Sequence, residues 1–544
     1  MDCKEIINRF NKLKCRRDGF WLDTWREVRK YVYPTYSDYK QEGGARGAEI
    51  FDTTAIKSRQ RLAAGIYNWM APPDKRWFEM VPADEELAKD EEVKDFFSEA
   101  TKVISFCMAN SNWPTVLIQT LNELSAGLDG VVYSEDGGMD AVLNFRSFPV
   151  ETVAYAENSK GMVDTVFREV RWTARQIAQE FGVEKLPEKI RKAAGDEKRQ
   201  DEEFNLIHAV FPRHKRNKDM ADNINKAIAD MYIDPESKTI LYESGYDEMP
   251  FAVCRFEKSA NEAYGRGPGL NMLPDIKMLN RMRQAYIVGS EFDADPSWLV
   301  PDGSLVNPNF NKGPGAINPY KPSMNGAKPE PVVRGVNTGK LAADIEAERE
   351  NIKTGFFGDI FDPLGDLKSI TATEAEIRNE SKMIPFAPIA GNLHSELFKP
   401  IIHRVFCICQ RRNLLPPLPE KLLANPEYKV EFVSKIALSI KKLESLGWLQ
   451  TEASLANIAA VKPDVMDNFE LDDVARDVAL VNGTSPKWLV PVRERDRLRQ
   501  ARAQAQAQAA QAEMLMQGAQ VAPDLNKAPE IGSVMDKVIR GNGI

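Results

Sequence analysis

Apolar and polar positions along the first 125 residues recur at helical spacing. Ile6, Phe10, Leu13, Phe20 and Trp25 fall on a rough stripe that Pro34 ends, which predicts helix. Thr53–Met70 predicts a further helix, stopped by Ala71-Pro72-Pro73. Asp84–Lys94 reads as an acid-rich exposed stretch, with apolar Phe96–Met108 after it. From about Val131 the pattern changes to short β-like runs, Ala141–Phe145, Thr152–Tyr155 and Thr165–Val170, with turns at Asn158 and Gly161. Thr173 caps a short helix to Phe181, and Gly182 stops it. Residues 185–203 are charge-dense and read as a solvated loop or helix face. Strand-like runs return at Leu206–Phe211, Ala229–Ile233, Thr239–Tyr242 and Phe251–Phe256.

The next pattern is a helix, an arm and a helix. Gly265-Arg-Gly-Pro-Gly269 breaks the strands, and apolar residues from Leu273 to Ile287 then predict a helix over Leu273–Glu291. Residues 294–337 hold eight prolines and five glycines, too many for helix and too long a stretch for an ordinary loop. Apolar anchors such as Trp298, Phe310 and Ile317 make it an ordered projecting arm with short strands. A second helix, Leu341–Phe357, carries Leu341, Ile345, Ile352 and Phe356 on one face and charge on the others. Beyond Pro363-Leu364-Gly365, the capping box Thr371-x-x-Glu374 predicts a long helix to about Cys409, kinked at Pro385 and Pro388. A Pro-rich connector, 416–428, leads to helices over Lys435–Leu446, Thr451–Ala460, Leu471–Val481 and Pro491–Met516. The final ~25 residues read as a flexible tail.

Composition narrows the function. With 72 basic and 80 acidic residues the net charge is −8, the wrong sign for a protein that coats DNA. Six scattered cysteines form no disulfide framework and fit a reducing compartment. No apolar run approaches the ~20 residues a membrane span needs, so the expectation is a soluble chain.

The chemical motifs of enzymes are missing or defective. Gly335-Val-Asn-Thr-Gly339-Lys340-Leu341 resembles a phosphate loop. It is one residue short, however, and has Leu341 where a magnesium-binding hydroxyl belongs, so it reads as a helix start. Four histidines form no H-E-x-x-H, and Cys407-x-Cys409 is too tight for a zinc knuckle; one of the two belongs in a core. No G-x-S-x-G nucleophile elbow occurs. The expectation is no catalysis, no cofactor and no metal. Local positive charge stands at Arg493, Arg495, Arg497, Arg499 and Arg502 against Glu494 and Asp496, an excess of three. A solvated helix face is the plain alternative there.

Several segments in order resemble the portal (head-to-tail connector) protein of short-tailed bacteriophages. They are Arg61-Leu-Ala-Ala-Gly-Ile-Tyr67 with Ala71-Pro-Pro-Asp-Lys-Arg-Trp77, Gly161-Met-Val-Asp-Thr-Val-Phe-Arg168 with Thr173–Gly182, Tyr264–Asn280, and Thr371–Ala375 with Ser395–Pro400. The similarity runs from about residue 5 to 515. It implies an α+β, mainly helical fold. Its parts fall on a wing at 1–265, a first stem helix at 266–292, a clip at 293–338 and a second stem helix at 339–359. A tunnel loop, long kinked helix and wing return take 360–429, a helical crown 430–518, and a flexible tail 519–544.

The resemblance further implies a ring, usually of twelve subunits, at one capsid vertex, with double-stranded DNA passing through it during packaging and ejection. Partners would be the large terminase subunit, a tail adaptor, and the major capsid and scaffolding proteins, with no membrane. Asp362, Leu364, Gly365, Asp366 and Lys368 would then sit in the tunnel loop, and Glu346 and Glu350 on the channel wall. Trp298, Phe310, Lys312, Lys321 and Arg334 would meet partners at the clip, and the arginines from Arg493 to Arg502 would face DNA from the crown. Another capsid or scaffold component, or a packaging ATPase, are the alternatives; the latter lacks its phosphate loop.

Overall fold

The computed structural model describes residues 2–34, 47, 49–72, 75–84, 86–138, 141–217, 219–220, 222–294, 298–299, 330–331, 338–361, 384–424, 427–433, 451, 455, 462, 468–481, 490 and 494–509. The chain divides into two compact units, Met1–Leu443 and Glu444–Ile544.

In the first unit, α1 (Cys3–Phe20) and α2 (Leu22–Tyr31) meet at Trp21. The expected apolar stripe is split there. Ile6 and Phe10 bury against a β-sheet, Trp25 and Val28 enter the main core, and Phe20 is left 78% exposed. The chain changes direction at Trp21, so one period cannot carry through it. A helical layer follows, made of α3 (Thr54–Met70), α4 (Glu91–Ala109) and α5 (Trp113–Ala126). Strand β1 (Phe78–Pro82) lies between the first two. The acid-rich stretch contains the start of α4. The Asp90 carboxylate accepts the N–H groups of Glu92 and Val93, and acids in a first turn suit the positive helix end.

Two antiparallel sheets come next. Strands β2 (Gly130–Asp136), β3 (Leu143–Phe148) and β9 (Phe251–Cys254) form one, in the order β3-β2-β9. Strands β4 (Val153–Glu157), β5 (Val163–Thr173), β6 (Glu203–Pro212), β7 (Ile228–Asp234) and β8 (Thr239–Tyr246) form a meander in sequence order. Along β6 the side chains alternate. Ile207, Ala209 and Phe211 meet α1, while Phe204 and Leu206 pack under α6 (Ala174–Phe181) and α7 (Glu188–Ala194). Residues 185–203 are therefore not wholly solvated: Ile190 and Ala193 anchor α7 in that small core. Thr173 and Gln176 form the reciprocal cap expected of α6, and Gly182 ends it at φ 77°.

The short helix α8 (Pro268–Asn271) leads into α9 (Leu273–Ala294), and α10 (Thr338–Gly355) and α11 (Gly358–Phe361) follow the arm. Of the long kinked helix, a tight turn at Ile384–Phe386 precedes α12 (Ala387–Leu393). A wide π turn at His394–Phe398 then passes into α13 (Lys399–Arg411). The capping box at Thr371 lies outside the described residues. Cys409 is buried and Cys407 only partly so, as their spacing on one helix requires. Strand β12 (Tyr428–Phe432), in a stretch read as connector, pairs antiparallel with β1, Phe78 opposite Phe432. Phe432 stacks on the His394 ring at 3.7 Å, and burial lowers the His394 pKa to about 4. In the second unit, helix Leu471–Val481 and a helical stretch at 494–509 are described.

Candidate functional site

Helices α9 and α10 pack side by side, and their ends against the body form a root. The first turns of α9 bury Leu273, Ile276 and Leu279; α10 buries Ile345 and Ile352, with Phe356 just after it. At Gly355 a Cβ atom would lie 2.5 Å from the Met272 sulfur, so a larger residue there would push that side chain aside. Phe357 follows at φ 58°, which ends α10 two residues before the expected end; its start, Thr338, comes three residues earlier than expected. Further along α9 the packing thins: no described residue of the helix after Leu279 is buried, and Val288 is 44% exposed.

One short segment, 49–52, ties both helices. The Asn280 side-chain oxygen accepts the N–H groups of Phe51 at 2.7 Å and Asp52 at 3.3 Å, and its amide donates to the Glu49 carbonyl at 2.6 Å. From α10, Arg349 donates two hydrogen bonds to the Asp52 carboxylate, at 2.7 and 3.0 Å. Burial would raise the Asp52 pKa, but bonds from Thr54 and Arg349 outweigh it and hold the carboxyl below its usual range.

Behind the root lies a buried polar node. Asp129 accepts the Tyr155 hydroxyl at 2.7 Å and the Gly265 N–H at 3.0 Å, just before the chain enters α8. Burial pushes Asp129 up to about 7 in spite of these bonds. Beside it, Arg255 donates to Glu396 of the π turn, to Glu157, and to the Ala263 carbonyl. The loop that feeds α9 and the turn between α12 and α13 are thus pinned to one guanidinium. A second buried ion group, Arg29 between Glu123 and Glu151, joins α2, α5 and the sheet region. None of these polar residues follows a hydrophobic period, and nothing in the sequence singled them out.

Glu346 and Glu350 lie on the exposed face of α10, as expected, but each is met by a base one turn on. Glu346 accepts from Arg349 at 3.0 Å and Glu350 from Lys353 at 2.5 Å. Trp298 lies in a two-residue strand, β10 (Trp298–Leu299), paired with β11 (Glu330–Pro331), so the arm doubles back on itself. Phe310, Lys312, Lys321, Arg334, Asp362, Leu364, Gly365, Asp366, Lys368 and Arg493 lie outside the described residues. Arg499 donates to Asp472 at 2.7 Å and Arg495 forms an ion pair with it at 3.2 Å, while Arg497 and Arg502 are exposed. Asp472 thus consumes part of the expected positive patch. Thr338, Gly339 and Lys340 open α10, in keeping with a helix start in the defective phosphate loop. Among the described residues no cluster of His, Cys, Asp or Glu could hold a metal ion, and no helix is long and apolar enough to cross a membrane.

Residues 3–490 match the family described as bacteriophage head to tail connecting protein, and the chain belongs to that family. It is 28% identical over 537 residues to the probable portal protein of Bordetella phage BPP-1, covering 96% of this chain and 95% of that protein. It is also 27% identical over 505 residues to the portal protein of Salmonella phage epsilon15, covering 90% and 89%. A chain from the virion of a native gene transfer agent particle aligns over 74% of this chain and 92% of its own length, at 9% identity. The TM-score of that alignment, 0.33, is too low to define the fold. The chain is a structural component of the virion with the portal function at the capsid vertex.

Proposed function

We propose that the chain works as one subunit of a closed ring of twelve, with double-stranded DNA passing along the axis. The observation that carries this reading is the helix–arm–helix unit. Two helices bury side chains against the body at one end, and a doubled-back arm links their other ends. In this reading α9 and α10 are the stem and 293–338 the clip. The clip meets the large terminase subunit during packaging and a tail adaptor afterwards, through Trp298, Phe310, Lys312, Lys321 and Arg334. Residues 1–265 form the wing, which meets the major capsid and scaffolding proteins, and 430–518 the crown, with 519–544 a flexible tail.

Residues 360–370, with Asp362, Leu364, Gly365, Asp366 and Lys368, form the tunnel loop. Glu346 and Glu350 line the channel and weaken its grip on phosphate, so that the duplex slides. Their pairing with Arg349 and Lys353 makes this a mixed rather than a purely acidic wall. Arg493, Arg497 and Arg502 are the crown residues left to face DNA, since Asp472 holds Arg495 and Arg499. Such a subunit acts by shape and contact, without turnover. Negative-stain images of the purified chain test the reading: rings with a central hole are expected, and a monomer at high concentration would refute it.

A further inference from the structure

We propose that neighbouring copies of the chain dock head to tail, the exposed face of α4 on one copy seating in a cleft beside α1 on the next. The proposal rests on the ring reading above and names the contact that would build the ring. The cleft has a volume of about 360 Å³ and lies between the end of α1 and the loop 261–266; its lining includes Arg16, Phe20, Trp21, Tyr264 and Arg266, the last held by the Glu262 carboxylate at 2.8 Å. Its floor is aromatic, with Trp21 and Tyr264 5.8 Å apart and the Arg266 guanidinium 5.1 Å from the Trp21 ring. Phe20 at its rim is 78% exposed.

The other half of the contact is on α4. Glu92, Asp95, Glu99, Lys102 and Phe106 follow one another at three- and four-residue steps, and all are exposed. Phe106 is 70% exposed, so that it and Phe20 are the two most exposed large apolar side chains among the described residues. Isolated exposed apolar residues are ordinary. Here Phe20 ends a basic helix, and Phe106 lies two turns beyond the acidic part of α4. Residues 84–102 carry eight acids against three bases, and α1 carries six bases against two acids. Arg16 on α1 and Asp95 on α4 are both exposed and have no ion-pair partner among the described residues. Two unlike, complementary patches that engage different neighbours generate a ring or a filament when repeated from copy to copy, whereas in a two-fold pair both would be used on one partner and the multimer ladder would stop at dimers. Phe106 would fill the aromatic cleft while the acidic half of α4 lies along Lys12 and Arg16.

The test uses the full chain with exposed Cys15 changed to Ser. A variant carrying both Phe20→Cys and Phe106→Cys, treated with a short bis-maleimide, is expected to give a covalent ladder of successive multimers. An equal mixture of the two single variants should stop at dimers. Phe106→Asp should raise the concentration for half-assembly by about tenfold or more, with unchanged melting because the side chain is exposed. Arg16→Asp combined with Asp95→Arg should assemble better than either change alone. Rings that form without a ladder would overturn the proposed contact and leave the ring reading intact. So would Phe106→Asp rings that form normally but fail to enter capsid shells, which would assign this face to the shell. An unsubstituted chain that never forms rings would overturn the ring reading itself.

Discussion

The two ends of the α9–α10 pair are built by different rules. At the root, Leu273, Ile276, Leu279, Ile345, Ile352 and Phe356 are buried, and polar side chains close specific gaps: Asn280 on 49–52, Arg349 on Asp52, Asp129 on Gly265. Toward the far end, Val288 is exposed. A chain can specify the root alone, because all its partners are intramolecular. The far end of α9 keeps apolar surface that stays exposed among the described residues, and such surface commonly marks a contact with another molecule.

The contrast can be broken at several points. Removing Phe356 should do most damage: Phe356→Ala is expected to cost about 3–5 kcal/mol in chemical denaturation. Val288→Ala should cost under about 0.5 kcal/mol in the monomer, and equal losses at the two sites would erase the distinction. Asp129 comes next. Its folded-state pKa is raised, so its contribution to stability is present at acidic pH and lost as the pH rises through about 7. Each tenfold change in a protonation equilibrium is about 1.4 kcal/mol, so the loss between pH 4 and 8 is up to about 4 kcal/mol. Asp129→Asn should flatten the pH profile of unfolding over this range, and an unaltered slope would remove Asp129 as its source. Asn280→Ala, which leaves two backbone N–H groups without their acceptor, should cost about 1–3 kcal/mol. It should also speed amide exchange at Phe51 and Asp52. The smallest effect on stability is expected from Glu346→Lys with Glu350→Lys, within about 0.5 kcal/mol. DNA packaging should nevertheless slow in that variant, and an unchanged rate would discard the acidic-wall role.

Much of this was legible in the sequence, and what was missed has physical causes. The strands from Thr165 to Phe256 and the caps at Thr173 and Gly182 showed themselves through local chemistry. So did the face Ile345–Ile352–Phe356, because a buried stripe repeats with the helix. The split of the N-terminal stripe at Trp21 was hidden, since both halves are apolar and the turn has no proline or glycine of its own. Strand β12 was hidden because its partner, β1, lies some 350 residues earlier. The root clamps were invisible for the same reason: Asn280 meets Phe51 across 229 positions, and a single polar residue has no period. Asp472 likewise closes on two arginines that lie well beyond its own helix.

The π turn at His394–Phe398 has a rhythmic cause. Ile389, Leu393, Leu397, Ile401, Val405 and Cys409 are all buried and stand four residues apart throughout. A regular helix turns once in 3.6 residues, so a strict four-residue beat runs ahead of it and walks the apolar face around the barrel of the helix. One wide turn takes up about 100° of that drift, so that the apolar faces of α12 and α13 stay closer in phase. Deleting one residue within 394–398 would keep the helix and lose the beat. Everything beyond would be rotated by about 100°, and Glu396 would be carried away from Arg255.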